Sequence, residues 1–348
     1  MQAHRQDDHA VVTTSNTSVA VFGGYGHTAR FVLAELSRHG LTPVLSGRDA
    51  DRLRKAASEA GLSPDTVRVA TAEDPDALDA ALAGTAAVLN CAGPFADTAP
   101  MVAAAAIRAG IHYLDIGAEQ VVALRTLTDL DEAATRAGVV VAPSVSFYGG
   151  LGDLLATAAM GDWPAADAVE IAIVLDSWLP TEGTRRTISR NAGRHLAHEG
   201  GELVPPPSTP GTREFRDLTL TELSTADQVT IGHHLRVGRI AVHMNARPLD
   251  DLADPATPAP AAVDERGRSA QTFLVDVTVT RDGQRRRVTA SGQDIYAVTA
   301  PLLVGVAVEV LTGRFDGPGA RTAAQLVEPT AFLRSLDPEH LRFSGSVH

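Results

Sequence analysis

The sequence predicts an α/β protein: a doubly wound parallel sheet with helices on both faces, followed by a second, α+β domain containing a mixed or antiparallel sheet. Three observations carry that prediction. Short β-branched apolar runs alternate with helically spaced stretches over the first ~145 residues, a glycine-rich turn follows the first of those runs, and after Pro143 the alternation gives way to long strand-like segments.

The elements follow in order. Residues 18–22 (SVAVF) read as a strand, and Phe31, Leu33 and Leu36 space a helix over 27–39. The pair repeats at 42–46 and 49–60, at 66–70 and 76–82, at 86–91 and 101–109, and at 111–116 and 121–137, with 139–142 as the sixth strand. A turn over 148–152 then leads into a helix reaching about Met160. Residues 168–176 and 228–245 read as long strands, and 273–280 pairs with 285–291 across Asp282-Gly283, a hairpin signal. Residues 204–211 and 247–262 are rich in Pro and Ala and read as loops, and 296–311 returns to helical spacing. The implied division is a flexible tail over 1–17, a nucleotide-binding domain over 18–148, an α+β substrate and dimerisation domain over 149–318, and a tail over 319–348 packing back on the first domain.

Composition narrows the function. Apolar residues are 44% and charged residues 21% of 348, as in a folded globular protein. A net charge of −12 repels phosphate backbones and anionic lipid, so nucleic acid is not expected as a partner. No run approaches the ~18 apolar residues of a membrane span, and the polar start carries no leader pattern, so the expected address is cytoplasmic. The single cysteine, Cys91, allows no internal disulfide. Lys55 is the one lysine, on a surface-type helix, which argues against Schiff-base chemistry and removes the Tyr-x-x-x-Lys pair of short-chain dehydrogenases.

Gly24-Tyr25-Gly26-His27-Thr28-Ala29 fits Gly-x-Gly-x-x-Gly/Ala between a strand and a helix. The first glycine permits the turn, the second lets backbone approach a pyrophosphate, and the helix start holds the anion. After the second strand, Ser46-Gly47-Arg48-Asp49 stands where an NAD-preferring domain carries an acid. Arg48 points to NADP(H), its guanidinium suiting a 2′-phosphate, with Ser46 as a further donor. The alternatives are Asp49 as the ribose ligand beside a solvated Arg48, or Asp49 as a helix cap. Asn90, Ala92, Gly93 and Pro94 follow the fourth strand and complete the cofactor set.

These segments, together with Ala109-Gly110-Ile111-His112-Tyr113-Leu114-Asp115-Ile116-Gly117-Ala118-Glu119, resemble the saccharopine dehydrogenase-like oxidoreductases. The resemblance implies a Rossmann domain, a mixed-sheet domain that pairs subunits into a homodimer, and NADP-dependent hydride transfer. The family's members include saccharopine reductases acting at C=N bonds and trans-acting enoyl reductases acting at C=C bonds of lipid or polyketide intermediates. One segment departs: where the family reads Gly-Phe-Asp-Ser-x-Pro-x-Asp, this chain reads Ser146-Phe147-Tyr148-Gly149-Gly150-Leu151-Gly152-Asp153, with a phenol in place of the acid.

The function expected is hydride transfer from NADPH to a C=N or C=C bond of a secondary-metabolite or lipid-type small molecule. Amino-acid dehydrogenation of the saccharopine or opine type, and a non-catalytic NADP-binding sensor or scaffold, are the alternatives. Asp115 and Tyr148 are the candidate proton-handling residues, and Phe95, Tyr113, Glu119 and Arg185 the candidate substrate contacts. For Asp115 and Glu119 the competing roles are loop hydrogen bonding and helix-start stabilisation. His195, His198 and Glu199 on an expected helix, and His233-His234 on an expected strand, lack a full ligand set, so no metal is expected.

Overall fold

The apolar alternation of the first 142 residues has one stable outcome, a sheet buried on both faces. The computed structural model describes residues 17–345; the tail expected at the N-terminus lies, apart from Thr17, outside them. Six strands, β1 (Ser18–Phe22), β2 (Thr42–Gly47), β3 (Val67–Val69), β4 (Ala87–Asn90), β5 (His112–Asp115) and β6 (Val140–Ala142), alternate with α1 (His27–Arg38), α2 (Ala50–Glu59), α3 (Pro75–Leu82), α4 (Phe95–Ala109), α5 (Gln120–Asp129) and α6 (Asp131–Ala137). The stretch expected as one helix over 121–137 is two, broken at Leu130. All strands are parallel in the order β6-β5-β4-β1-β2-β3, which makes the gap between β1 and β4 the topological switch point. Val19, Val21, Leu45, Leu89 and Leu114 face one core, and Ala20, Phe22, Val88 and Tyr113 the other, the period-2 pattern of a strand.

The second domain adds α7 (Gly152–Met160), β7 (Ala166–Leu175), α8 (Glu182–Asn191), β8 (Ala197–Glu199), β9 (Glu202–Val204), β10 (Thr212–Phe215), β11 (Leu218–Leu223), α9 (Asp227–His234), β12 (Val237–Asn245), α10 (Ala246–Ala253), β13 (Thr272–Arg281), β14 (Gln284–Gln293) and α11 (Ile295–Leu311). The chain ends on β15 (Gly319–Ala320), α12 (Ala323–Leu326), α13 (Pro329–Ser335) and β16 (Leu341–Gly345). Its sheet is mixed, in the order β10-β11-β12-β7-β13-β14-β16, with β7 and β12 parallel and β8 and β9 attached at β12. Three expectations are corrected. The apolar run from Gln228 begins as α9, so His233 and His234 end a helix, while His198 and Glu199 lie on β8 and part of the Pro/Ala-rich stretch from 247 forms α10. The segments that became α9 and β8 are too short for their period to separate strand from helix, and the Pro/Ala-rich composition of 247–262 masked the helix that starts at Ala246.

Two features tie the halves together. The almost wholly buried α11 packs on α1, and β15 returns to the first sheet, pairing parallel with β6, whereas β16 pairs with β14 in the second. Among the described residues no helix is long and apolar enough to cross a membrane.

A buried carboxyl supports the turn after β6. Asp227, 1% exposed, accepts a hydrogen bond from the Thr225 hydroxyl at 2.6 Å, and the neighbouring Thr230 hydroxyl donates to the Gly149 carbonyl at 2.8 Å. Burial raises the Asp227 pKa to about 6, partly opposed by the Thr225 hydrogen bond. The folded protein therefore holds this proton more tightly than the unfolded chain. That stability is fully present below the unfolded pKa near 4 and is lost as pH rises through about 6, amounting to about 3 kcal/mol. Asp227→Asn is expected to flatten this component of melting temperature against pH between about pH 4 and pH 6. Parallel melting curves for the two proteins in that window would remove Asp227 from the account.

A candidate NADP(H) and substrate cleft between the domains

At the carboxyl edge of β1 the chain turns sharply enough for the Gly23 and Gly24 N–H groups to donate to the Ser46 carbonyl at 2.8 and 3.1 Å. Gly23 has φ +82°, and a Cβ there would lie 2.9 Å from the Ala92 backbone nitrogen, so only glycine fits. Gly26 then caps α1 with φ −71°, and no side chain caps that helix. Its first N–H groups are therefore left to an anion. Together with the end of β4 and parts of the second domain, this turn lines a cleft of about 600 Å³.

The sequence-derived cofactor residues divide. Tyr25, Gly26, His27, Thr28, Arg48, Ala92, Gly93 and Pro94 line the cleft; Gly24, Ser46 and Asn90 do not. Gly24 packs against Leu45. Ser46 is fully buried with its hydroxyl unpartnered, and it is its carbonyl that shapes the turn. Asn90 accepts from the Ala92 N–H at 3.0 Å and donates to Thr98 and Tyr113 at 3.2 Å each, which fixes the loop that lines the cleft. Asp49 caps α2, accepting from the Asp51 and Arg52 N–H groups at 3.1 and 3.0 Å. Arg48 is exposed at the cleft mouth with no ion pair or hydrogen bond to any described residue, and Arg52 lies over the Tyr25 ring at 4.3 Å. This donor set suits a 2′-phosphate rather than a free ribose hydroxyl.

His27 meets Phe31 and Tyr296 edge-on, and its Nε2 is buried without a partner. Burial, followed by the nearby Arg30 charge, lowers its pKa to about 4, so at neutral pH it offers a hydrogen bond but no charge. Burial and then Asp115 push the Cys91 thiol up to about 12. It stays protonated and is no nucleophile.

Asp115, Tyr113 and Glu119, expected at the substrate, are placed one layer below it. Asp115 is 1% exposed and accepts from the Gly117 and Ser144 N–H groups and the Tyr113 hydroxyl, each at 2.8 Å. Burial raises its pKa against those three bonds. Glu119 accepts from the Phe95 and Ala118 N–H groups at 2.9 and 3.1 Å. All three residues hold the loops that form the cleft rather than its wall, because the backbone donors at those strand ends are themselves buried and need acceptors. Arg185 turns away as well, donating to the carbonyls of Leu252, Asp254 and Thr257 at 3.0–3.3 Å.

Phe95 and Tyr148 do line the cleft. Tyr148 stacks on Trp178 at 5.3 Å and meets Phe147 edge-on at 4.9 Å; its hydroxyl is buried and unpartnered. Gly149 follows at φ +100°, where a Cβ would lie 2.8 Å from that of Ser144. Sequence reasoning missed Trp178, Tyr296 and Thr299, which with the start of α8 complete the wall. The Tyr296 hydroxyl is fully engaged, with Trp178 Nε1, the Thr181 N–H, the Thr184 hydroxyl and the Leu179 carbonyl at 3.0–3.4 Å. Trp178 is one of two tryptophans in the chain, a signal the sequence did offer.

The strand order and the glycine-rich turn at the switch point define a domain of the Rossmann class. Residues 19–142 match the family model described as saccharopine dehydrogenase NADP binding domain. Residues 19–142 thus form a domain of the saccharopine dehydrogenase NADP-binding type, whose cofactor is NADP(H). A probable mitochondrial saccharopine dehydrogenase-like oxidoreductase of Arabidopsis thaliana is 28% identical over 142 residues, which cover 37% of this chain and 31% of that protein. The match thus spans about a third of that relative's length. In fold, the chain is similar to the saccharopine dehydrogenase (L-Glu forming) of Saccharomyces cerevisiae, with a TM-score of 0.66 at 13% identity over 95% of this chain and 100% of that one. An engineered D-amino acid dehydrogenase bound to NADP+ aligns with a TM-score of 0.50 at 14% identity over 93% and 97% of the two chains.

Because Arg48 has no partner among the described residues, NADPH is expected to bind at least about tenfold tighter than NADH, one charge-assisted contact being worth roughly 1.5–3 kcal/mol. Arg48→Ala should erase most of that preference in calorimetric titration. Equal affinities in the unmodified protein would show that Arg48 does not read the phosphate.

Proposed function

We propose that this chain uses NADPH to reduce a C=N or C=C bond of an uncharged, largely apolar small molecule of the secondary-metabolite or lipid type. One observation carries the reading: among the described residues the inner wall of the cleft is aromatic and hydroxylic, the guanidiniums of the lining being Arg48 and Arg52, which this reading gives to the cofactor phosphate, and Arg186, which is paired with Glu182. Phe95, Phe147, Tyr148, Trp178 and Tyr296 form it. The charged residues that line the cleft are Arg48, Arg52, Glu73, Asp97, Glu182 and Arg186; Asp97 pairs with Arg190 at 2.9 Å and Glu182 with Arg186. A saccharopine- or opine-type substrate brings two or more carboxylates, which require guanidinium or ammonium partners when desolvated. Arg185, the sequence's candidate for that task, is held by the 252–257 loop.

Bound NADPH supplies the hydride. Tyr148 supplies a hydroxyl with no partner among the described residues, able to donate a hydrogen bond to the atom that gains charge as hydride arrives. Burial raises its pKa well above the ordinary phenol value, so it donates as a neutral group. The test is NADPH oxidation with uncharged cyclic imines and enones against mixtures of a 2-oxo acid and an amino acid. Turnover with the uncharged set alone is expected; turnover with the acid mixtures alone would assign the opine-type reaction instead, and none with either would favour a sensor.

A further inference from the structure

The guanidiniums that line the cleft come from both domains. Arg48 follows β2 and Arg52 lies on α2, while Arg186 reaches the same cleft from α8 of the second domain. Helix α8 buries none of its residues in the protein core. It is held instead at its ends and side: Arg190 donates to Asp97 of α4 at 2.9 Å, Arg185 grips the loop after α10, and the Thr181 hydroxyl caps its start. The helix thus spans from the first domain to the second across the cleft, with its first turn facing inward.

On that turn Glu182 pairs with Arg186 one turn later. The carboxyl is drawn below its ordinary range by Arg186 first and then by the charges of Arg52 and Arg48. Glu182 therefore stands within electrostatic reach of all three guanidiniums. Glu73 also lines the cleft but makes no ion pair among the described residues. With Asp97 paired to Arg190, the three guanidiniums Arg48, Arg52 and Arg186 outnumber the two carboxylates Glu182 and Glu73, which leaves an excess of positive charge in the cleft lining.

We propose that the second domain helps to read the cofactor: Arg186 is a third guanidinium for the 2′-phosphate of NADP(H), and Glu182 is the carboxylate that holds it until the phosphate takes its place. A phosphate carrying close to two negative charges outcompetes one carboxylate for a guanidinium. It also repels Glu182, so the two side chains part when NADP(H) enters. NAD(H), lacking the phosphate, leaves the Glu182–Arg186 pair intact and draws nothing from α8. Selectivity is then a difference of affinities with an attractive and a repulsive element on one helix. The inference concerns the cofactor alone and does not depend on which substrate is reduced.

The experiment is calorimetric titration of the full chain with 2′,5′-ADP and with 5′-AMP, fragments that differ only in the 2′-phosphate, for the unmodified protein, Arg186→Ala and Glu182→Gln. Arg186→Ala is expected to weaken 2′,5′-ADP by about fivefold or more and to leave 5′-AMP unchanged. Glu182→Gln, which removes the competitor, should strengthen 2′,5′-ADP a few-fold. Both residues sit on an exposed helix, and a melting curve for each variant confirms that it is folded. Should Arg186→Ala weaken both fragments equally, α8 acts as a general cover and the proposal is overturned. Unchanged affinity for 2′,5′-ADP in Arg186→Ala overturns it too, as does weaker 2′,5′-ADP binding in Glu182→Gln.

Discussion

Gly26→Val is expected to abolish NADPH binding in a protein that still folds. Gly26 has φ −71° and ψ 161°, a conformation any residue adopts. A Cβ there meets nothing closer than the Gly23 carbonyl at 3.2 Å, so the backbone accepts the substitution with a small shift. The branched side chain then fills the approach of the pyrophosphate to the start of α1, and overpacking of that kind costs on the order of 3 kcal/mol, roughly a hundredfold in affinity. Thermal melting with and without NADPH is the measurement. Gly23→Val makes the contrast, because its φ of +82° and the 2.9 Å approach to Ala92 put the damage in the fold itself. A Gly26→Val protein that NADPH stabilises as fully as the original would place the nucleotide elsewhere.

Tyr148→Phe should leave NADPH affinity unchanged and lower single-turnover hydride transfer by about a hundredfold or more, the usual cost of removing one donor to a developing charge. The ring's contacts with Trp178 and Phe147 survive the change, and the hydroxyl removed has no partner in the protein to strand. A rate equal to the unmodified enzyme's would reduce Tyr148 to a wall of the pocket.

The sequence was most informative where backbone geometry dictates residue type. Gly23 to Thr28 could be read because a turn against a pyrophosphate tolerates few alternatives, and the six parallel strands because apolar runs of that length can only be buried. It was least informative about direction. Asp115 and Glu119 have the right chemistry at the right end of the sheet, yet a one-dimensional pattern does not tell whether a carboxylate faces the cleft or the buried N–H groups beneath it. Arg185 and Arg186 are adjacent on one helix and differ by about 100° around its axis, which is enough to send one to a loop and the other to the cleft. Trp178 lies in the loop after β7 while Tyr296 and Thr299 share α11, more than a hundred residues later, and the hydrogen bond from Trp178 Nε1 to the Tyr296 hydroxyl at 3.2 Å joins them into one wall.

The two-residue strand β15 has a consequence for how the protein is made. A ribosome delivers β6 long before Gly319 and Ala320 emerge, and until then the β6 edge of the first sheet is an unpaired row of N–H and C=O groups, the kind of edge that recruits other chains. The nucleotide-binding half therefore waits for about 180 further residues after β6 before its sheet is finished. A fragment cut at the end of β6 would expose that edge permanently, so the unit that binds the cofactor is longer than the stretch of sequence that announces it.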